Sequence, residues 1–264
     1  MTIRKNLINA TILYDYLLRK GELSLSTNNN ALTEAVLAYS SGEIGELSTK
    51  TILHIMAEES NHVIESVHDG DEEALVLLTN VCNGRTVTTN ENIEKLSWYN
   101  KGKDTNSDNS YKLIYKFALL NLIQLVFMNT ENDELARQTI TYSRWEESLS
   151  KLLQDYDDSF GDKDHCLRDA NIIFKRMIEE KERVQSVKSS KTFLIRNLVK
   201  KILEPSHLVV YESKAELIQP TLLFKGYMTY ILSTRDDSVS EWTERTIQLE
   251  MKEISGDLKN EQIK

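Results

Sequence analysis

The chain has 264 residues, 40% hydrophobic and 28% charged, with only 9 Gly and 2 Pro. That composition excludes a disordered chain, and scarce Gly and Pro argue against an all-β fold, whose many tight turns draw on both. With 41 acidic against 32 basic residues the formal net charge is −9, which repels phosphate backbones, so nucleic acid is not an expected partner.

A first helix is predicted over Thr2 to Lys20, because Ile3, Leu7, Ala10, Tyr14 and Leu17 share one face at helical spacing, and Gly21 stops it. Leu25 to Asn30 reads as a loop and Ala31 to Tyr39 as a short helix. A longer helix is expected over about Leu47 to Val67, with Ile52, Ile55, Met56, Val63 and Ile64 on its apolar side. His68-Asp69-Gly70 breaks it, and Asp71, Glu72 and Glu73 open another helix with negative charge at the positive end of its dipole. Its body, Ala74 to Cys82, is apolar nearly all round and is expected inside the fold. Thr88-x-x-Glu91 is a capping-box pattern for a short helix to Tyr99.

Asn100 to Ser110 is the most loop-like segment, either a mobile tip or a divide between two subdomains. A central helix follows over Tyr111 to Asn129, and Thr130-x-x-Asp133 is read as the cap of the next, lined by Leu135, Tyr142, Trp145, Leu149 and Leu152. Asp155 to Asp164 reads as an acidic loop, His165 to Val187 as a helix, Ser189-Ser190 as punctuation, and Phe193 to Leu203 as a helix ended by Pro205. His207 to Glu212 is the only strand-like run, and one short run cannot build a sheet. Leu222 to Leu232 reads as a buried helix, and Ser238-x-x-Glu241 caps the last one. The expected fold class is therefore all-α: roughly ten helices in antiparallel layers. Residues 1–264 are expected to form a single domain, either undivided or divided into two subdomains at 100–110, with a frayed end over 256–264.

Arg4 and Lys5 are followed by Asn6, Asn9 and Asp15, which break any apolar signal segment. The most apolar stretch, Phe117 to Met128, contains Asn121 and Gln124 and falls short of the ~20 residues a bilayer requires. Cys82 and Cys166, far apart in the chain, suit a reducing compartment. The expected location is intracellular, cytoplasmic or nuclear, with no membrane span.

Asp71 to Gly84 (DEEALVLLTNVCNG) resembles the last helix of an armadillo repeat, and Phe117 to Asn129 (FALLNLIQLVFMN) echoes it about one repeat later. The resemblance implies an irregular armadillo/HEAT-like α-solenoid, a scaffold that holds protein partners on a concave surface. The glycine that breaks the first two helices of such a repeat is missing, and no third copy follows.

His68-Asp69 matches the dipeptide of metal-dependent HD phosphohydrolases but lacks its apolar flanks and sits at a break. Glu59-x-x-His62 has the spacing of a di-iron ligand pair, yet has no second copy. Asp157-Asp158 and the set Asp236, Asp237, Ser240 and Glu244 resemble the two magnesium motifs of helical terpene cyclases, where carboxylates hold Mg²⁺ against a diphosphate. The basic run Lys181, Arg183, Lys188, Lys191, Arg196, Lys200 and Lys201 reads as a solvated helix face. No glycine-rich phosphate loop, CxxC pair or G-x-S-x-G occurs.

The expected function is a protein–protein interaction module: a helical scaffold, adaptor or subunit of a larger complex. It has no catalytic residue and no cofactor, and Asn80, Trp98, Asn121 and Trp242 are its candidate partner-binding residues. The alternative is a metal-dependent helical enzyme acting on phosphate or diphosphate substrates through Asp157, Asp158, Asp236, Asp237, Ser240 and Glu244.

Overall fold

The computed structural model describes residues 2–26, 30–41, 47–70, 72–79, 105–129, 135–161, 165–179, 189–233 and 238–255. In chain order the elements begin α1 (Thr2–Lys20), β1 (Glu22–Ser24), α2 (Asn30–Ser40), α3 (Thr49–Glu59), β2 (His62–Asp69) and β3 (Glu72–Thr79). They continue with α4 (Thr105–Val126), β4 (Phe127–Asn129), β5 (Leu135–Arg137), β6 (Ile140–Thr141), α5 (Tyr142–Phe160) and α6 (His165–Glu179). The last are α7 (Thr192–Leu203), β7 (Val209–Glu212), β8 (Leu217–Pro220), α8 (Leu222–Ser233) and α9 (Val239–Ser255). Among the described residues helix predominates, accompanied by three small antiparallel sheets, so the all-α expectation holds in part. Two compact units divide the chain: Met1–Val87 with Thr221–Thr234, and Thr88–Pro220 with Arg235–Lys264.

In the first unit the sheet order is β1-β3-β2. Central β3 pairs with β2 from His62↔Thr79 to Asp69↔Glu72 and with β1 from Glu22↔Val76 to Ser24↔Ala74. One face of this sheet carries Leu23, Ile64, Leu75 and Leu77 into a core with Ala10, Leu13, Leu17, Leu32 and Leu53 from α1 to α3. The other face meets α8, where a Cβ on Gly226 would overlap the Val76 side chain. Both faces of β3 are therefore covered, which is why every position from Ala74 to Leu78 is apolar. That pattern lacks the alternation of a half-buried strand and read as a buried helix; it is a strand. The expected helix over Leu47 to Val67 likewise ends at Glu59, and Gly70, at φ +63°, makes the β2–β3 turn.

The second unit is built on α4, whose Leu113, Ile114, Phe117, Ala118, Leu122 and Ile123 are buried, and which packs on α5, α6 and α9. The Trp145 indole N–H donates to the Ala118 carbonyl at 3.0 Å, fixing α5 across it. α7 has wide π-type turns; they close with Glu204 N–H donating to Val199 O, five residues back, at 2.9 Å. The lone strand-like run becomes β7, which finds its mate in β8 within the order β6-β8-β7.

Several boundaries differ from expectation. Thr105 to Ser110 are the first turns of α4, Phe127 to Asn129 leave the helix as β4, and α5 runs through the expected acidic loop to Phe160. The helix expected near Leu135 starts at Tyr142, capped by Thr141, whose Oγ1 accepts from Arg144 N–H at 3.2 Å. The Ser238 capping box forms: Ser238 N–H donates to Glu241 Oε2 at 3.0 Å, and Glu241 N–H to Ser238 Oγ at 3.3 Å. The Thr88 to Tyr99 helix and the 256–264 end lie outside the described residues. Of the two segments carrying the armadillo resemblance, the first is strand over Glu72–Thr79 and the second is helix to Val126. Among the described residues no helix is long and apolar enough to cross a membrane.

Candidate partner-binding surface

Helix α1 is oddly sorted. Its inner side carries Ala10, Leu13, Tyr14 and Leu17, but also Asn6 and Asn9, neither more than 9% exposed. Asn6 Nδ2 donates to the Leu47 carbonyl at 2.9 Å, whereas the buried Asn9 Nδ2 has no hydrogen-bond partner among the described residues. Its outer side carries Ile3, Leu7, Ile8, Ile12 and Leu18, each 38–57% exposed. At 3.6 residues per turn these fall in two aliphatic rows, Ile3-Leu7-Leu18 and Ile8-Ile12, separated by Arg4, Thr11 and Asp15. Full burial of such a side chain contributes roughly 1.5–3 kcal/mol, so half-exposure leaves about 1 kcal/mol each unrealised. The ends of the helix are basic: Arg4 and Lys5 at one, Arg19 and Lys20 at the other. Lys5 pairs with Glu34 at 2.6 Å and Arg19 with Asp15 at 2.7 Å. Ile3 and Leu7, grouped by spacing with Ala10, Tyr14 and Leu17, thus fall at the exposed edge of that face. Apolar residues occur almost all round α1, and packing against α2 and α3 decides which arc is buried.

The second unit holds a buried polar cluster. The Glu146 carboxylate accepts from the Tyr142 hydroxyl at 2.7 Å and from the Ser190 hydroxyl, all three buried. Burial, reinforced by the neighbouring Glu146, drives the Tyr142 phenol far above its ordinary value, so it acts as a donor and not as a base. Lys191 forms an ion pair with Glu216; that hydrogen bond holds its ammonium above the usual lysine range. Tyr142 N–H donates to the Glu216 carbonyl at 2.8 Å. These contacts tie the start of α5 to the approach to α7 and to the β7–β8 turn, which is a structural role.

The residues singled out in sequence are scattered. Asn121 is interior on α4, its Nδ2 donating to Ser148 Oγ at 2.9 Å, so it lines no exposed groove. Trp242 is half-buried on α9, and Asn80 and Trp98 lie outside the described residues. Asp157 accepts from Asn171 Nδ2 at 2.6 Å and Asp158 from Gln154 Nε2 at 2.5 Å. Ser240 and Glu244 are exposed on α9, where Glu244 is near enough to Tyr156 to add to the upward push that burial gives its phenol. Asp236 and Asp237 lie outside the described residues. Glu59 ends α3 while His62 opens β2, so the two do not share a helix face. Among the described residues no three His, Cys, Asp or Glu side chains gather as a metal site. Arg196, Lys200 and Lys201 are exposed on α7, with Lys200 5.9 Å from the Tyr211 ring centre.

No known family model, curated protein or solved structure matches the chain. The outer face of α1 is the feature on which a functional reading rests.

Proposed function

We propose that the chain is a protein–protein interaction module, a scaffold, adaptor or subunit of a larger complex, and that its partner docks on the outer face of α1. The supporting observation is the inverted sorting of α1: two asparagines inward, five large aliphatics outward. A helix needed only for its own fold gains by the opposite arrangement. Basic residues at both ends call for a partner that is apolar in the middle and acidic at its rims. They also disfavour pairing α1 with a second copy, which brings like charges together in either orientation. This reading rests on α1 and not on the armadillo-like segments.

A photo-crosslinking amino acid placed at Ile8 or Ile12 tests it in the native cells, with Lys151, exposed on α5, as the control position. The expected result is one discrete adduct from the α1 positions, absent from Lys151 and lost when Leu7→Asp is added. Equal labelling from all three positions overturns the reading.

A further inference from the structure

The backbone ladder of the first unit has a directional consequence. Leu25 N–H donates to Glu73 O and Leu77 N–H to Gly21 O, both at 2.8 Å, so the odd-numbered residues of β3 bond towards β1. Its even-numbered residues bond towards β2, and the pairs exchanging both bonds are Val63–Leu78, Glu65–Val76, Val67–Ala74 and Asp69–Glu72. The N–H and C=O groups of His62, Ile64, Ser66 and His68 therefore point out of the sheet along its outer edge, where no described strand pairs.

Elsewhere such groups are closed by side chains. The Tyr227 hydroxyl accepts from Thr79 N–H at 3.0 Å and donates to Thr79 O at 3.1 Å, where β3 outruns β1. Glu204 Oε1 accepts from Tyr211 N–H at 3.1 Å on β7. The Lys225 ammonium donates to the His68 carbonyl. Among the described residues nothing meets the outward backbone groups of His62, Ile64 and Ser66. Glu65, on the same face as Val76, is half-buried with no ion-pair partner among the described residues, and burial raises its carboxyl.

We propose that the β2 edge from His62 to Ser66 receives an extended segment of a partner polypeptide, which adds a fourth strand and sets an aliphatic side chain beside Ile64 and a Lys or Arg beside Glu65. The added strand satisfies the outward groups in one step, as in β-augmentation. A second copy of this chain is a poor occupant. Antiparallel pairing centred on Ile64 places the two Glu65 carboxylates on one face as diagonal neighbours, about 7–8 Å apart. The edge touches α1 only where the His62 ring meets the Tyr14 hydroxyl at 2.9 Å, and it includes none of the outward aliphatics of α1, so the two surfaces are tested separately.

The probe is a capped peptide of alternating lysine and valine, titrated into the full chain while amide hydrogen exchange is followed. Expected is slowed exchange at Ile64 and Ser66 but not at Val63 and Val67, which already bond within the ladder. Ser66→Pro removes an outward N–H and no ladder bond, so thermal unfolding shows the fold retained while peptide affinity falls about tenfold. Glu65→Lys, which leaves the backbone intact, weakens the peptide by repulsion. No protection at Ile64 and Ser66, or equal affinity in both variants, overturns the proposal. So does concentration-dependent dimerisation that protects the same amides without peptide. α1 crosslinks that persist in Ser66→Pro keep the two surfaces distinguishable.

Discussion

Helices α1 and α5 are both 19 residues long, and they use their apolar residues differently. α5 is sorted as a self-sufficient amphipathic helix: Tyr142, Trp145, Leu149 and Leu153 are buried, and its polar residues are outward except for Glu146, which is bonded on two sides. α1 buries two asparagines, one of them unsatisfied, and leaves five aliphatics in water. The difference separates a helix that buries its apolar face within its own unit from one that leaves part of it outward. It shows that an exposed aliphatic is informative only beside what the same helix has chosen to bury.

The comparison can be broken or sharpened experimentally. Trp145→Ala removes a fully buried indole and its bond to Ala118, and a loss of about 3–5 kcal/mol is expected in denaturant unfolding. Glu146→Ala removes the carboxylate acceptor that the buried Tyr142 and Ser190 hydroxyls share, with an expected loss of about 1–3 kcal/mol. On α1 the sign reverses. Asn9→Leu removes an orphaned buried amide and is expected to raise stability by up to about 1 kcal/mol. Ile8→Ser is expected to cost about 1 kcal/mol, the share that its half-burial realises, while abolishing the α1 crosslink; a loss above about 2 kcal/mol would make Ile8 a core residue after all.

The smallest effect is one of pH, on α3, which packs on α1. Burial, aided by Lys50, holds the His54 imidazole below its ordinary 6.5, and its buried Nε2 has no hydrogen-bond partner among the described residues. The unfolded chain therefore binds the proton more readily. Stability is unpenalised above pH 6.5, declines as the pH falls through that value, and levels off once the folded imidazole is charged. His54→Gln is expected to flatten that part of the unfolding-versus-pH curve.

Local chemistry was legible where it acts locally. Gly21 after α1, the Ser238 box before α9 and the buried α8 follow from spacing and capping alone. β2 and β3 did not, because β3 is apolar on both faces and a short apolar run is the same pattern in a buried helix as in a buried strand. What separates them is pairing: Ser24 with Ala74 lies beyond any local window, whereas the Gly70-Asp71 step between β2 and β3 is a two-residue hairpin signal that the sequence does carry. The same limit hid the Glu146–Ser190 bond, whose partners stand 44 residues apart. Of the candidate surface, the apolar surplus of α1 was visible in the sequence, but the arc left outward depends on where α2 and α3 pack.

The Tyr227–Thr79 clamp has a consequence for how the protein is made. Its two residues are 148 positions apart, which at ribosomal rates corresponds to roughly 7–30 s of translation. Through that interval the sheet has emerged without α8, and the face that Gly226 will cover is bare. The first unit is thus a late finisher although it begins the chain, and a fragment cut after Val87 would lack the helix that closes it. Nascent chains stalled between these two residues should be the ones that chaperones hold longest.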